Sequence, residues 1–262
     1  MTQGRPDGNS FRWRCICAYD GTDFAGWQKQ PGGIAVQDKI EQALEEIFGQ
    51  SVHTIGAGRT DAGVHACGQV FHFDVPWPHS SESMLQAMRS TFPAGISPRK
   101  LQKASKGFHA LLSAKGKRYR YRACKGWATP QDDRFVLSLK HRDFDLDRMQ
   151  EGASRLLGEH DFSSFSSKRR GLAEQNAVRK VWRIEVLKKA DAYDFLIEGS
   201  GFLYKMVRSL VGALLDVGEG KMEPNQLEKI LKLCMRTECV VSAPAKGLSL
   251  EKVFYRSPKG SE

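Results

Sequence analysis

Gly56-Ala57-Gly58-Arg59-Thr60-Asp61-Ala62-Gly63-Val64-His65-Ala66 joins two apolar, β-prone runs, 51–55 and 69–75. Three glycines make it a bent connection between strands rather than a strand or helix itself. Arg59 and Asp61 stand two residues apart among small neighbours that let a planar ligand approach the backbone. Arg59 is placed to hold the Asp61 carboxyl ionised by charge and hydrogen bonding. An ionised, positioned carboxylate is a candidate nucleophile or base. The same spacing fits a turn whose Asp caps its own backbone, the usual fate of aspartate in a glycine-rich loop. Spacing alone favours that second reading.

Outward from the loop, the pattern predicts strands and helices in a definite order. Residues 1–10 read as disordered. In 11–20, Phe11, Trp13, Cys15, Cys17 and Tyr19 alternate onto one side, which predicts a strand. Val36, Ile40, Ala43, Leu44 and Ile47 recur at helical spacing, and Gly49 ends that helix. The runs 51–55 and 69–75 are predicted strands around the loop, and Pro76 and Pro78 stop the second. A helix over 81–91 and a short strand over 97–104 close a β-α-β-β-α-β unit. A second pass through the same order follows: a strand over 115–124, a helix through Leu146, Met149 and Ala153, and strands over 178–187 and 193–199. A long apolar helix over 202–217, a helix opened by Pro224 and a last strand over 247–255 complete it. The expected fold is α+β, two ferredoxin-like halves in a mainly antiparallel sheet flanked by helices. The halves are expected at 11–105 and 106–262, with the join in the 105–114 connection.

Composition bounds the partners. The chain has 262 residues, with 40 Lys and Arg against 30 Asp and Glu, a formal net charge of +10. That excess suits a polyanion. No apolar run approaches the roughly 20 residues of a membrane span, and the polar N-terminus lacks an apolar signal core. Six cysteines form no CxxC, and no histidines follow at zinc-finger spacing. The HxE and PCxxC signature of zinc nucleobase deaminases is absent.

Two further stretches carry chemistry. In Lys117-Arg118-Tyr119-Arg120-Tyr121-Arg122 a strand puts the tyrosines on one face and the three arginines on the other. The arginines make a stripe suited to phosphates, and Tyr119 is suited to stacking on a base or to proton transfer. Core tyrosines backed by solvated arginines fit the pattern equally, and pattern alone favours them. In 201–212, Arg208 is one cation on an otherwise apolar helix and requires a carboxylate partner.

The wording of these stretches resembles the TruA family of tRNA pseudouridine synthases. GRTDAGVHA is similar to that family's catalytic loop, FHA followed by KRYRY to its second motif, and FLYKMVRSLVG to its third. YDGTDFAGWQ (19–28), HDFSSF (160–165) and Ala245-Lys246-Gly247-Leu248 also match, in the family's order. Three positions depart from it: Leu111 stands where Arg is common, Ser200 where Asn is, and Ser249 where Tyr is.

The resemblance implies the pseudouridine synthase fold, with Asp61 as nucleophile and Arg208 as its partner. It places Tyr119 against the target base and Leu248 beside the uracil ring, and lets Arg59 steady the flipped nucleotide. The basic run Lys168, Arg169 and Arg170 is read as facing RNA. Also implied are tRNA as partner, modified in its anticodon stem and loop, a homodimer, a cytoplasmic location, and no metal or cofactor. Two other classes stay in view. A non-catalytic basic RNA-binding protein would be expected to carry an RNP motif, which is missing. A glycoside hydrolase needs two carboxylates where the loop offers one.

Overall fold

A computed structural model describes residues 10–167 and 176–257. Residues 1–9 of the expected disordered segment, and Lys168, Arg169 and Arg170, lie outside the described residues. The chain forms two compact units, Met1–Ala114 and Lys115–Glu262. The connection 105–110 is tied to the first. Arg12 Nη1 donates to the carbonyls of Lys106 and Phe108, each at 2.8 Å, and Ala110 N–H donates to His72 Nδ1 at 3.1 Å.

The first unit runs β1 (Phe11–Tyr19), α1 (Val36–Phe48), β2 (Ile55–Gly56), β3 (His65–Val75), α2 (Ser81–Thr91) and β4 (Ile96–Lys103). Its strands lie in the order β4-β1-β3-β2, all antiparallel. This is the spatial order of a ferredoxin-like unit. Trp13, Cys15, Cys17 and Tyr19 are buried as the alternation predicts, and Phe11 at the strand's start is exposed. Val36, Ile40, Ala43 and Leu44 of α1 are buried, and the helix ends at Gly49. Helix α2 is capped by Ser80, whose side chain accepts from Ser83 N–H at 3.1 Å.

One prediction fails here. The run 51–55 contributes only Ile55 to the sheet, in a strand of two residues that Gly56 completes. Its backbone bonds go to helix α1 instead. Thr54 N–H donates to Glu41 Oε1 at 2.8 Å, and Thr54 O accepts from Gln37 Nε2 at 2.8 Å. A buried carboxylate and amide thus satisfy what a ladder would otherwise have to.

The second unit runs β5 (Gly116–Cys124), β6 (Leu137–Ser138), α3 (Leu146–Ser154), β7 (Gly158–Asp161), β8 (Val178–Lys188), β9 (Ala192–Gly199), α4 (Met206–Gly218), α5 (Pro224–Lys232) and β10 (Leu248–Phe254). Its strand order β10-β5-β9-β8 repeats that of the first unit, with β7 added beyond β8 and β6 paired to β5. Helix α4 begins four residues later than the apolar pattern predicts. Lys205, just before it, takes φ 60°, a left-handed turn that breaks any continuation from Phe202. The short strand β7 overlaps only the first two residues of HDFSSF, and its polar sequence, Gly-Glu-His-Asp, carries no alternation to announce it.

Candidate active site

The Arg59–Asp61 loop is fixed at nearly every residue. Ala57 N–H donates to Val70 O at 2.7 Å, and Gly58 O accepts from Gln69 Nε2 at 2.9 Å. Thr60 O accepts from Trp27 N–H at 3.1 Å, and Thr60 Oγ1 bonds the Tyr19 hydroxyl at 2.9 Å. Asp61 O accepts from Val64 N–H at 3.1 Å. Gln69, Thr60, Tyr19 and Trp27 are buried, whereas Asp61 is half-buried and Arg59 exposed. Burial pushes the Tyr19 phenol well above its ordinary value, so it stays a neutral hydrogen-bonding group.

Close approach of the 21–28 segment makes this possible. A Cβ on Gly26 would stand 2.6 Å from Thr60 O, and Gly26 itself has φ +87°. Only glycine meets both demands. The YDGTDFAGWQ stretch therefore clamps the loop from outside: Tyr19, Gly26 and Trp27 all bear on Thr60. The side chain of Asp61 is thereby presented from an immobilised backbone, the arrangement that positioned catalysis requires. Arg59 is held in turn by Gln28, whose Oε1 accepts from Arg59 Nε at 3.0 Å.

In the second unit Tyr119 and Tyr121 share a buried face of β5, as predicted. The register sets Leu248 opposite Tyr121 and Leu250 opposite Tyr119, so Tyr119 and Leu248 lie diagonally on neighbouring strands of one face. Phe202 stands edge-on to the Tyr119 ring, centroids 5.3 Å apart. Lys117, two residues before Tyr119 on that face, is lowered to about 8, chiefly by burial and secondarily by the charge of Arg179. Arg208 lies in the first turn of α4, where its Nε donates to Ala243 O at 2.7 Å while Ala243 N–H donates to Arg208 O at 2.9 Å. Gly212, one turn on, lets the helix meet this segment: a Cβ there would fall 2.0 Å from Val241 O. Arg208 is thus tied to the chain that leads into Leu248.

The arginine stripe differs from expectation. Arg118 pairs with Glu198 at 2.8 Å, Arg120 with Glu251 at 2.9 Å and Arg122 with Asp194 at 3.0 Å. The carboxylates come from β9 and β10, the two neighbours of β5, and offset the stripe's charge. Among the described residues no group of three or more His, Cys, Asp or Glu side chains is arranged to hold a metal, and no helix is long and apolar enough to cross a membrane.

A family model described as tRNA pseudouridine synthase matches residues 16–110 and 153–256. The chain belongs to that family. It is 40% identical over 251 residues to tRNA pseudouridine synthase A of Brevibacillus brevis, an alignment covering 93% of this chain and 99% of the relative. The corresponding protein of Geobacillus kaustophilus is 41% identical over 248 residues, covering 93% and 94%. That of Chlamydia pneumoniae is 40% identical over 247 residues, covering 93% and 91%. Membership makes the chain an isomerase with the α+β pseudouridine synthase fold. The matched stretches contain Arg59, Asp61, Arg208 and Leu248, whereas Tyr119 falls between them.

Sequence reasoning did not single out Tyr19, Thr60, Gln69 or Lys117. Gln69 carried the one available signal, a polar residue inside a strand whose neighbours Val70, Phe71 and Phe73 are apolar.

Proposed function

We propose that the chain converts uridine to pseudouridine in the anticodon stem and loop of tRNA, with Asp61 as the nucleophile. The reaction breaks the N1–C1′ bond, turns the uracil and joins C5 to C1′, so reactant and product are isomers. No electron or group needs to be supplied from outside. The uridine must leave the stack to be reached, at roughly a few kcal/mol.

The observation that carries this reading is the fixed loop. Asp61 is the one carboxylate in the stretch 56–66, and its backbone neighbours are bonded on both sides. Such preorganisation suits a group that attacks the base ring or the ribose, or that assists a glycal route. Arg208 is assigned as the cation that keeps Asp61 ionised as water leaves, because desolvation alone raises a carboxyl pKa. Tyr119 is assigned to the uracil ring and to proton transfer, with Leu248 packing beside the base. Arg59 is assigned to the flipped nucleotide.

Phosphate binding in this reading falls to basic side chains outside the paired stripe, among them Lys168, Arg169 and Arg170. A homodimer whose subunits share one tRNA, and a cytoplasmic location, complete the reading on the strength of the resemblance.

Incubation with an unmodified tRNA transcript, followed by digestion and nucleoside chromatography, tests it. Pseudouridine arising in the anticodon stem and loop is expected. Transcript bound but left unmodified would make the chain a plain RNA-binding protein.

A further inference from the structure

The exposed Arg59 is the end of a line of hydrogen bonds that starts on a buried charge. Glu41 of α1 accepts from Thr54 N–H, Thr54 Oγ1 and Gln37 Nε2 at 2.8, 3.1 and 3.2 Å. Lys29 Nζ lies 3.2 Å from its other oxygen. Gln37, one turn earlier and equally buried, accepts at Oε1 from Gln28 Nε2 at 3.0 Å and from Lys29 N–H at 3.1 Å. Gln28 then accepts at Oε1 from Arg59 Nε at 3.0 Å.

The two ends dictate the orientation of everything between them. An ionised carboxylate only accepts and a guanidinium only donates. Gln37 must therefore turn its amide nitrogen to Glu41 and its oxygen to Gln28. Gln28 must then turn its nitrogen inward and its oxygen to Arg59. Flipping either amide would set oxygen against oxygen or nitrogen against nitrogen. The dipoles run head to tail from anion to cation, an alignment in which each bond strengthens the next.

We infer that Gln28, oriented by Gln37 and Glu41, is a positioning residue that aims the Arg59 guanidinium at the substrate nucleotide. The inference rests on the proposed pseudouridine synthase reading for the role of Arg59. It adds a function to the end of the YDGTDFAGWQ stretch. Tyr19, Gly26 and Trp27 fix the loop's backbone, and Gln28 fixes the side chain beside Asp61.

Two measurements test it. Gln28 is exposed, so Gln28→Leu is expected to fold and melt like the wild type. In single turnover on unmodified tRNA, Gln28→Leu should slow pseudouridine formation on the order of 10-fold or more, since small misplacement of a positioning group has large effects. In an Arg59→Lys background, where no Nε–H remains, the same change should cost nothing further. Equal losses in both backgrounds, or no loss in either, would overturn the inference. Independently of activity, the Arg59 Nε–H resonance in ¹⁵N spectra of the free protein should report an ordered group in the wild type and an averaged one in Gln28→Leu. An unchanged order parameter would also overturn it. Absence of pseudouridine formation by the wild type would instead refute the functional reading and leave the spectra to judge the hydrogen-bond line.

Discussion

Gln69 Nε2 donates to the carbonyl oxygen of Gly58 at 2.9 Å, so a fully buried amide from β3 holds the peptide immediately before Arg59. Gln69→Leu keeps the bulk and removes this bond, leaving the Gly58 carbonyl without its protein donor. The expected cost is about 1–3 kcal/mol of stability. A fall in the rate of pseudouridine formation should accompany it, at nearly constant tRNA affinity. Denaturant unfolding and single-turnover kinetics measure the two; a wild-type rate in a destabilised protein would show that the loop holds its shape without Gln69.

Gly212 is the corresponding close approach in the second unit. Ala at 212 would drive its Cβ into Val241 O, 2.0 Å away, and push α4 off the segment that Arg208 grips at Ala243. Overpacking of this kind costs about 1–3 kcal/mol. Activity should fall by more than the population unfolded, because Arg208 moves with the helix. Comparing the melting curve with the rate at a temperature where the variant is folded separates the two effects.

His72 gives the fold a pH dependence whose sign is set by its burial. Its Nδ1 accepts from Ala110 N–H, and burial, then the charges of Arg12 and His109, lower it to about 4. In the unfolded chain it titrates near the ordinary value of about 6.5. Between these values the unfolded state binds the proton and the folded state does not. Stability from this group is therefore present above about pH 6.5 and lost as pH falls toward 4. His72→Asn keeps an acceptor without the titration, so its unfolding free energy should fall less over that window.

Much of the fold is legible because local pattern and packing agree. Alternation in β1 and the apolar stripe of α1 each state their element within a few residues. The failures arise where a distant side chain decides. Nothing in 51–54 reveals that Glu41 and Gln37 will take the Thr54 backbone, and nothing in 202–204 reveals that Lys205 turns left-handed. The site divides the same way. Arg59 and Asp61 stand out in their loop, whereas the bonds that fix them join Tyr19 to Thr60 and Gln28 to Arg59 across dozens of residues. The arginine stripe is legible as a stripe; its neutralisation depends on strand register, which places Glu198, Glu251 and Asp194 beside it.

Tyr119→Phe separates two roles for one ring. The phenyl would keep its place against Phe202 and on the face shared with Leu248. If the hydroxyl moves a proton, the rate should drop by roughly the 10²–10⁴ that positioned acid–base catalysis supplies, at unchanged tRNA binding. That is the expected result, with Tyr119→Leu also losing affinity. A rate near wild type for Tyr119→Phe would reduce the residue to a stacking platform.

The central claim is that Asp61 performs the chemistry. Asp61→Asn keeps the size and the backbone bonds of the loop and removes only the charge and nucleophilicity of one side chain. Pseudouridine formation on an unmodified tRNA transcript should be abolished, with the melting temperature and tRNA affinity held close to wild type. Turnover near the wild-type rate in that variant would contradict the claim.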